Sequence, residues 1–302
     1  MSEDLLTIER EGAIAILTFN RPEVLNAFNN PLMEATLETV TALNADDEVR
    51  VIVVRGAGRA FSPGFDLKAS AGRKMEDVQD WERQMQLQFD FIMQFWHSPK
   101  PTVAAVHGYC IAGAFELALA CDVTIAAENT RFGEPEVRFG TGIVAMLLPW
   151  LTGPKQAKEI LLTGEDQLNA QDALRMGIVN RVVPDDTVFE TAMSVAKSMA
   201  TASERSVRFT KRAINETYET MGFSRALKSS LDLDVLLNAA SDPLKDEFNR
   251  IRREEGVAPL LPGATLGSGT PSEYPLKTQL GLGDDVVLDF VRPGIDRDFP
   301  EM

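Results

Sequence analysis

Residues 101–122 read PTVAAVHGYCIAGAFELALACD, and the rest of the chain falls into place around them. The β-branched and small residues of TVAAVHG suit a buried strand, whereas GAFELALAC suits a helix, and DVTIAAE beyond it is another strand. Strands alternating with helices argue for an α/β sheet with parallel segments. One residue sits badly in this pattern. Glu116 stands among Phe115, Leu117, Ala118, Leu119 and Ala120, which leave no polar face for it. A charge buried without a partner is costly and usually neutralises, so either a partner meets this side chain or its chemistry is the reason for it. The chain passes through YCIAG into the helix, which puts the N–H of Gly113 in the first turn, where amides lack intrahelical acceptors and the dipole favours negative charge. Glu116 lies about one turn further on, near the same anion-stabilising corner.

Outward from this segment, LLTIEREGAIAILTFN reads as two strands around Arg10-Glu11-Gly12, and VRVIVVRG as a buried strand. Asn30 before Pro31 reads as an N-cap, with Leu32, Ala35, Thr36, Val40 and Leu43 along the helix, and a longer helix is expected from Met75 to Trp96. Toward the C-terminus, NAQDALRMGIVNRVV predicts a helix stopped at Gly177 and a short strand. TVFETAMSVAKSMA, ERSVRFTKRAINETYE and SRALKSSLDLDVLLNAA are amphipathic helices. From Gly256 onward proline and glycine recur, as in a linker or surface-wrapping tail, with DVVLDF alone suggesting order. A second glutamate, Glu136, lies in RFGEPEVRFG just after a predicted strand, where α/β sheets place ligands. Two carboxylates converging on one water would serve as base and acid.

The chain has 302 residues, 44% hydrophobic and 25% charged, with a formal charge of −15. Such an acidic balance speaks against a nucleic-acid or anionic-membrane surface, both of which need a basic footprint. No run is long and apolar enough to span a bilayer and the first residues carry no secretory pattern, so a cytoplasmic location is expected. Cys110 and Cys121 make no metal or disulfide pattern, read as buried free thiols, and no metal site is expected. Between Arg55 and Lys74 the residues Arg55, Arg59, Lys68, Arg73 and Lys74 face one acid, Asp66; this basic stretch suits either phosphate binding or a solvated face.

In order along the chain, NRPEVLNAFN, AFSPGFDLK, PTVAAVHGYCIAGAFELALACD, FGEPEVRFG and NAQDALRMGIVNRVV resemble the successive motifs of the crotonase (enoyl-CoA hydratase/isomerase) superfamily, over roughly residues 5 to 253. The resemblance implies an α/β fold, a crotonase-like spiral of ββα units with a C-terminal helical oligomerisation region. It divides the chain into a core with an acyl-CoA site over 1–195, a helical trimerisation region over 196–255 and a Gly/Pro-rich tail over 256–302. It implies an acyl-CoA thioester substrate, no cofactor beyond the coenzyme A that the substrate carries, and a homotrimer or homohexamer. Backbone N–H groups of Phe65 and Gly113 would hold the thioester oxygen, and Glu116 and Glu136 match the two hydratase glutamates. Retention of both points to water addition across a 2,3-double bond, with another acyl-CoA reaction (isomerase, lyase or thioester hydrolase) or a non-catalytic oligomer as the alternatives.

The resemblance also places the backbone of Val24 and Ala27 against the CoA arm; from the basic stretch Arg59 and Lys68 are the candidates for its phosphates, and Arg252 or Arg253 of the C-terminal helical region for a neighbouring subunit's ligand. Three departures concern the substrate: Val24 stands where relatives often have a basic residue, the glycine run is reduced to Ala112-Gly113-Ala114, and TGIVAMLLPW shortens a segment that lines the acyl pocket. Ile143, Val144, Met146 and Leu147 with Phe65 then imply an apolar pocket of altered shape.

Overall fold

A computed structural model describes residues 5–70, 73 and 75–254. Its strands are β1 (Leu6–Glu11), β2 (Ile14–Phe19), β3 (Val51–Gly56), β4 (Thr102–Val106), β5 (Tyr109–Ile111), β6 (Val123–Ala127), β7 (Arg131–Gly133), β8 (Leu168–Asn169) and β9 (Arg181–Val183). The helices are α1 (Asn30–Ala45), α2 (Leu67–Ser70), α3 (Val78–His97), α4 (Gly113–Ala120), α5 (Leu148–Thr152), α6 (Pro154–Thr163), α7 (Ala170–Arg175), α8 (Val188–Thr201), α9 (Glu204–Thr220), α10 (Phe223–Ala239) and α11 (Pro243–Glu254). One sheet runs β1-β2-β3-β4-β6-β9, antiparallel only between β1 and β2, and a smaller one runs β5-β7-β8.

The large sheet is covered on both faces, which is why its central strands read as unbroken apolar runs. Side chains alternate across it. Ile14, Ile16, Val51, Val53, Val103 and Ala105 pack on Val188, Ala192, Met193 and Ala196 of α8. Their neighbours Ala15, Leu17, Phe19, Ile52, Val54 and Ala104 face the larger core built by α1, α3, α4 and α10. Successive passes of the chain each add a strand to the large sheet and a segment to the smaller layer. β4 leads into β5 and α4, and β6 leads into β7, while bridges Phe28 to Phe65 and Ser62 to Cys110 extend that layer toward the N-terminal passes. This is the ββα spiral expected from the sequence.

Element boundaries differ in small, explicable ways. The cap of α1 is Asn29 rather than Asn30: its side chain accepts the Leu32 N–H at 3.0 Å, leaving Asn30 as the first helical residue ahead of Pro31. Helix α3 starts at Val78 instead of Met75 because Asp77 caps it, accepting from the Asp80 N–H. The three C-terminal amphipathic helices form as expected, and α10 joins the main core through Phe223, Leu227, Leu231 and Val235, with Phe223 stacked on Trp96. Helix α9 is held by Lys211, whose buried ammonium pairs with Asp122 at 2.8 Å and donates to the carbonyls of Phe95 and Lys100. Cys110 and Cys121 are free and buried, and among the described residues no helix is long and apolar enough to cross a membrane. The tail over 256–302, with DVVLDF, and the side chains of Arg252 and Arg253 lie outside what is described.

Candidate active site

The strand β5 ends at Ile111, and Ala112 then turns the chain into α4 with φ +58° and ψ −136°. This is a conformation that costs an L-residue energy and persists only where the surroundings impose it. Here the Ala112 N–H donates to the Gly133 carbonyl at 2.8 Å, anchoring the turn to β7. As the first residue of α4, Gly113 has no intrahelical acceptor for its N–H. Opposite it runs the loop before α2. Phe28 donates to the Gly64 carbonyl and accepts from the Asp66 N–H, so the Phe65 N–H between them faces away from Phe28. A Cβ on Gly64 would lie 3.3 Å from the Gly113 nitrogen, and one on Gly113 would lie 2.5 Å from the Phe65 ring. The two expected donors therefore come from segments in direct contact.

Glu116 is 1% exposed. Its Oε2 accepts from the Ala145 N–H at 2.5 Å, and its Oε1 is enclosed without a hydrogen-bond partner. Glu136 opens a short 3₁₀ turn, Glu136–Phe139, directly after Pro135, and its Oε2 is likewise enclosed and unpartnered. The structure brings the two together and adds a third carboxylate that sequence reasoning missed. Glu134, also 1% exposed, joins them, with oxygens of the three side chains within 4.8 Å of one another. Its signal was the period of two from buried Phe132 along the extended chain. A fourth acid, Asp234 of α10, reaches toward the same region, accepting from the Gly142 N–H at 3.1 Å and from Asn238 at 2.7 Å. It too was missed, although Leu227, Leu231, Asp234, Val235 and Asn238 share one buried helical stripe.

The electrostatics follow from enclosure and like charge. Burial first, then the Glu136 carboxylate, pushes Glu116 well above the usual carboxylate range, and the Ala145 N–H opposes this. Burial and the two neighbouring glutamates push Glu134 the same way. Burial raises Glu136 to about 7, with the neighbouring Glu134 side chain and the Arg138 guanidinium opposing. Asp234 is raised by burial to about 6, with Gly142 and Asn238 opposing. The segment that supplies the Ala145 N–H is apolar: Ile143, Val144, Ala145 and Leu147 are buried and Met146 is partly so.

The segments that carry the residues expected to meet the CoA arm adjoin one another, with Asn26 donating to the Ala57 and Ala60 carbonyls and Arg21 joining the Ala27 carbonyl to Asp66. Val24, Arg59 and Lys68 are exposed, and Ala27 is buried, its N–H on the Val24 carbonyl and its carbonyl accepting from Arg21. The basic stretch does not act as one surface. Alternation along β3 puts Arg55 on the α8 side of the sheet, over the Phe189 ring and beside Glu9, away from the carboxylates. Arg73 is bound to Asn30 and Gln84, Asp66 pairs with Arg21 at 2.9 Å, and Lys74 lies outside the described residues.

Comparison with known proteins agrees with this geometry. Residues 9–241 match the enoyl-CoA hydratase/isomerase family. A crotonyl-CoA hydratase of Syntrophomonas wolfei is 33% identical over 80% of this chain and 93% of its own length. A 2,3-dehydroadipyl-CoA hydratase of Escherichia coli is 32% identical over 86% and 96%. The crystal structure of an enoyl-CoA hydratase/isomerase from Xanthobacter autotrophicus superposes with a TM-score of 0.82 at 45% identity, over 84% of this chain and 94% of that one. With a crotonase-like α/β spiral, five ordered motifs and these relatives, the chain belongs to the enoyl-CoA hydratase/isomerase family.

Proposed function

We propose that the protein is an enoyl-CoA hydratase that adds water across the 2,3-double bond of an acyl-CoA thioester, with coenzyme A carried as part of the substrate. The observation that supports this best is the meeting of Glu136 with the buried Glu116 on the helix that Gly113 opens against Phe65. Adding water to an unsaturated thioester moves negative charge onto the thioester oxygen, and two preorganised N–H donors stabilise that enolate-like transition state. One carboxylate takes a proton from the water as its oxygen bonds to the β-carbon; the other supplies the proton to the α-carbon. The reaction is redox-neutral, so proton transfer by these side chains suffices. Val24 and Ala27 would line the CoA arm, and the exposed Arg59 and Lys68 would meet its phosphates. Incubating the purified protein with a panel of 2-enoyl-CoA thioesters should abolish the enone absorbance and yield 3-hydroxyacyl products. Migration of the double bond instead would favour the isomerase reading.

The assembly is proposed with the function. Phe209, Ile214, Met221, Leu233 and Leu236 of α9, α10 and their junction are more than half exposed, an apolar surface that a homotrimer or a pair of stacked trimers would cover. Light scattering of the full chain at micromolar concentration should give a trimer or hexamer, and a clean monomer would refute it.

A further inference from the structure

The two-carboxylate reaction leaves Glu134 unused, yet the fold grips it tightly. Its N–H donates to the Glu165 carbonyl at 2.8 Å, and Pro135 follows it. Gly133 before it lies so close to the neighbouring loop that a Cβ there would be 2.2 Å from the Glu165 oxygen and 2.3 Å from the Asp166 Cα. The backbone cannot withdraw this side chain from the cluster. Glu134 Oε2, Glu136 Oε2 and Glu116 Oε1 are all enclosed without a partner.

The groups facing the cluster do not neutralise it. Glu116 comes from α4, Asp234 from α10 and the Cys110 thiol from β5, while Arg138 on the Glu136 turn is paired with Asp166 at 2.5 Å. Three like charges this close in an enclosed space cannot all persist, whereas an O–H on Glu134 directed at the Glu136 carboxylate replaces a repulsion by a hydrogen bond. Resting on the hydratase reading, we propose that Glu134 is a positioning residue: as a neutral carboxylic acid it donates its O–H to the Glu136 carboxylate, keeping Glu136 ionised and aimed at the reacting water. The direction of the titrations agrees. Glu134 is driven far toward its protonated form, and its hydrogen bond offsets part of the rise in Glu136, which settles at about 7.

Two substitutions separate the donor from the shape. E134Q keeps an N–H donor, and E134L fills similar space without one. In E134L, kcat at neutral pH should fall at least about tenfold with KM changed less than about threefold, and the acid limb of kcat/KM should move to higher pH as Glu136 loses its donor. E134Q should lose far less and leave the acid limb in place. On resting protein at neutral pH, the infrared difference between wild type and E134Q should contain the C=O stretch of a protonated carboxyl group. An unmoved acid limb in folded E134L, equal shifts in both variants, a missing carboxyl band, or a stoichiometric divalent cation in the purified protein would overturn the proposal. Should E134L fail to fold, the infrared band and the E134Q profile decide alone. The band needs no turnover, so a protein carrying it but inactive on every enoyl thioester would refute the hydratase reading and support the proton on Glu134.

Discussion

The floor of the site and its rim are built on opposite terms. On the floor, Gly113, Glu116 and Glu134 are buried and the turn at Ala112 is anchored to β7. At the rim, Arg59, Lys68 and Val24 stand in solvent, and Lys68 lies on the four-residue helix α2. On the proposed mechanism the difference separates two kinds of work. Proton transfer and oxyanion stabilisation need groups held against water at set distances, whereas drawing in a polyanionic arm needs only positive charge near the surface, weakened by salt. Substitutions on the floor should therefore act on kcat, and those at the rim on KM.

The largest effects should come from Glu116→Gln and Glu136→Gln. Each should lower the hydration rate by about 10²–10⁴ while leaving folding and thioester affinity nearly intact. Near-normal turnover of the Glu136 variant would dissolve the two-carboxylate floor and favour a single-carboxylate isomerase. Next, Gly113→Pro deletes one proposed oxyanion donor at a position where the first helical turn tolerates proline. Its new Cβ would strike the Phe65 ring, so it is best made together with Phe65→Ala. Relative to Phe65→Ala alone, which keeps both amides, the double variant should lose about 10²–10³ in kcat, measured beside melting temperature and acyl-CoA binding.

A stability effect should follow at Asp234. Its folded pKa, about 6, is raised above the ordinary 3.8, so the native state binds this proton more tightly than the unfolded chain. The carboxyl favours folding most in acid and loses that advantage as pH rises from about 4 through about 6. Asp234→Asn, which retains an acceptor for the Gly142 N–H, should therefore stabilise the protein by up to about 3 kcal/mol at pH 7.5 and by little at pH 4, read by urea unfolding. Equal effects at both values would contradict the buried-acid account. The smallest effect belongs to the rim: Arg59→Ala and Lys68→Ala should each raise KM for a CoA thioester only up to about fivefold, with kcat unchanged and the difference shrinking at high salt.

The same contrast governs what the sequence discloses. Glu116 was conspicuous because every neighbour is apolar, and Gly113 because a strand runs straight into a helix at that glycine. Such conflicts between a residue and its surroundings survive in one dimension. The unbroken apolar runs of the central strands and the periodicity of α8, α9 and α10 were equally legible. Glu134 escaped because a glutamate beside Pro135 in a loop looks solvated until the Glu165 segment closes over it. Asp234 escaped because its partner, Gly142, lies far along the chain. The basic stretch shows what one dimension hides: neighbours in sequence, Arg55 and Arg59, are sent by the pleat and the turn to different surroundings. The helix starts were missed by one to three residues because Asn29 and Asp77 compete with their neighbours as caps.

The spiral path has a kinetic consequence. Phe65, Gly113 and Glu136 belong to separate passes of the chain, and the parallel pairs that order those passes join distant residues, such as Val103 with Val123 and Ile125 with Arg181. Loop-closure entropy must be overcome before such contacts contribute, so a chain of this topology folds slowly for its size. No contiguous fragment holds the site. Helix α10, which brings Asp234, seats Phe223 against Trp96 and Trp150, so indole fluorescence reports its docking during refolding. Catalytic activity should return only with the last of these passes, in step with that signal or behind it.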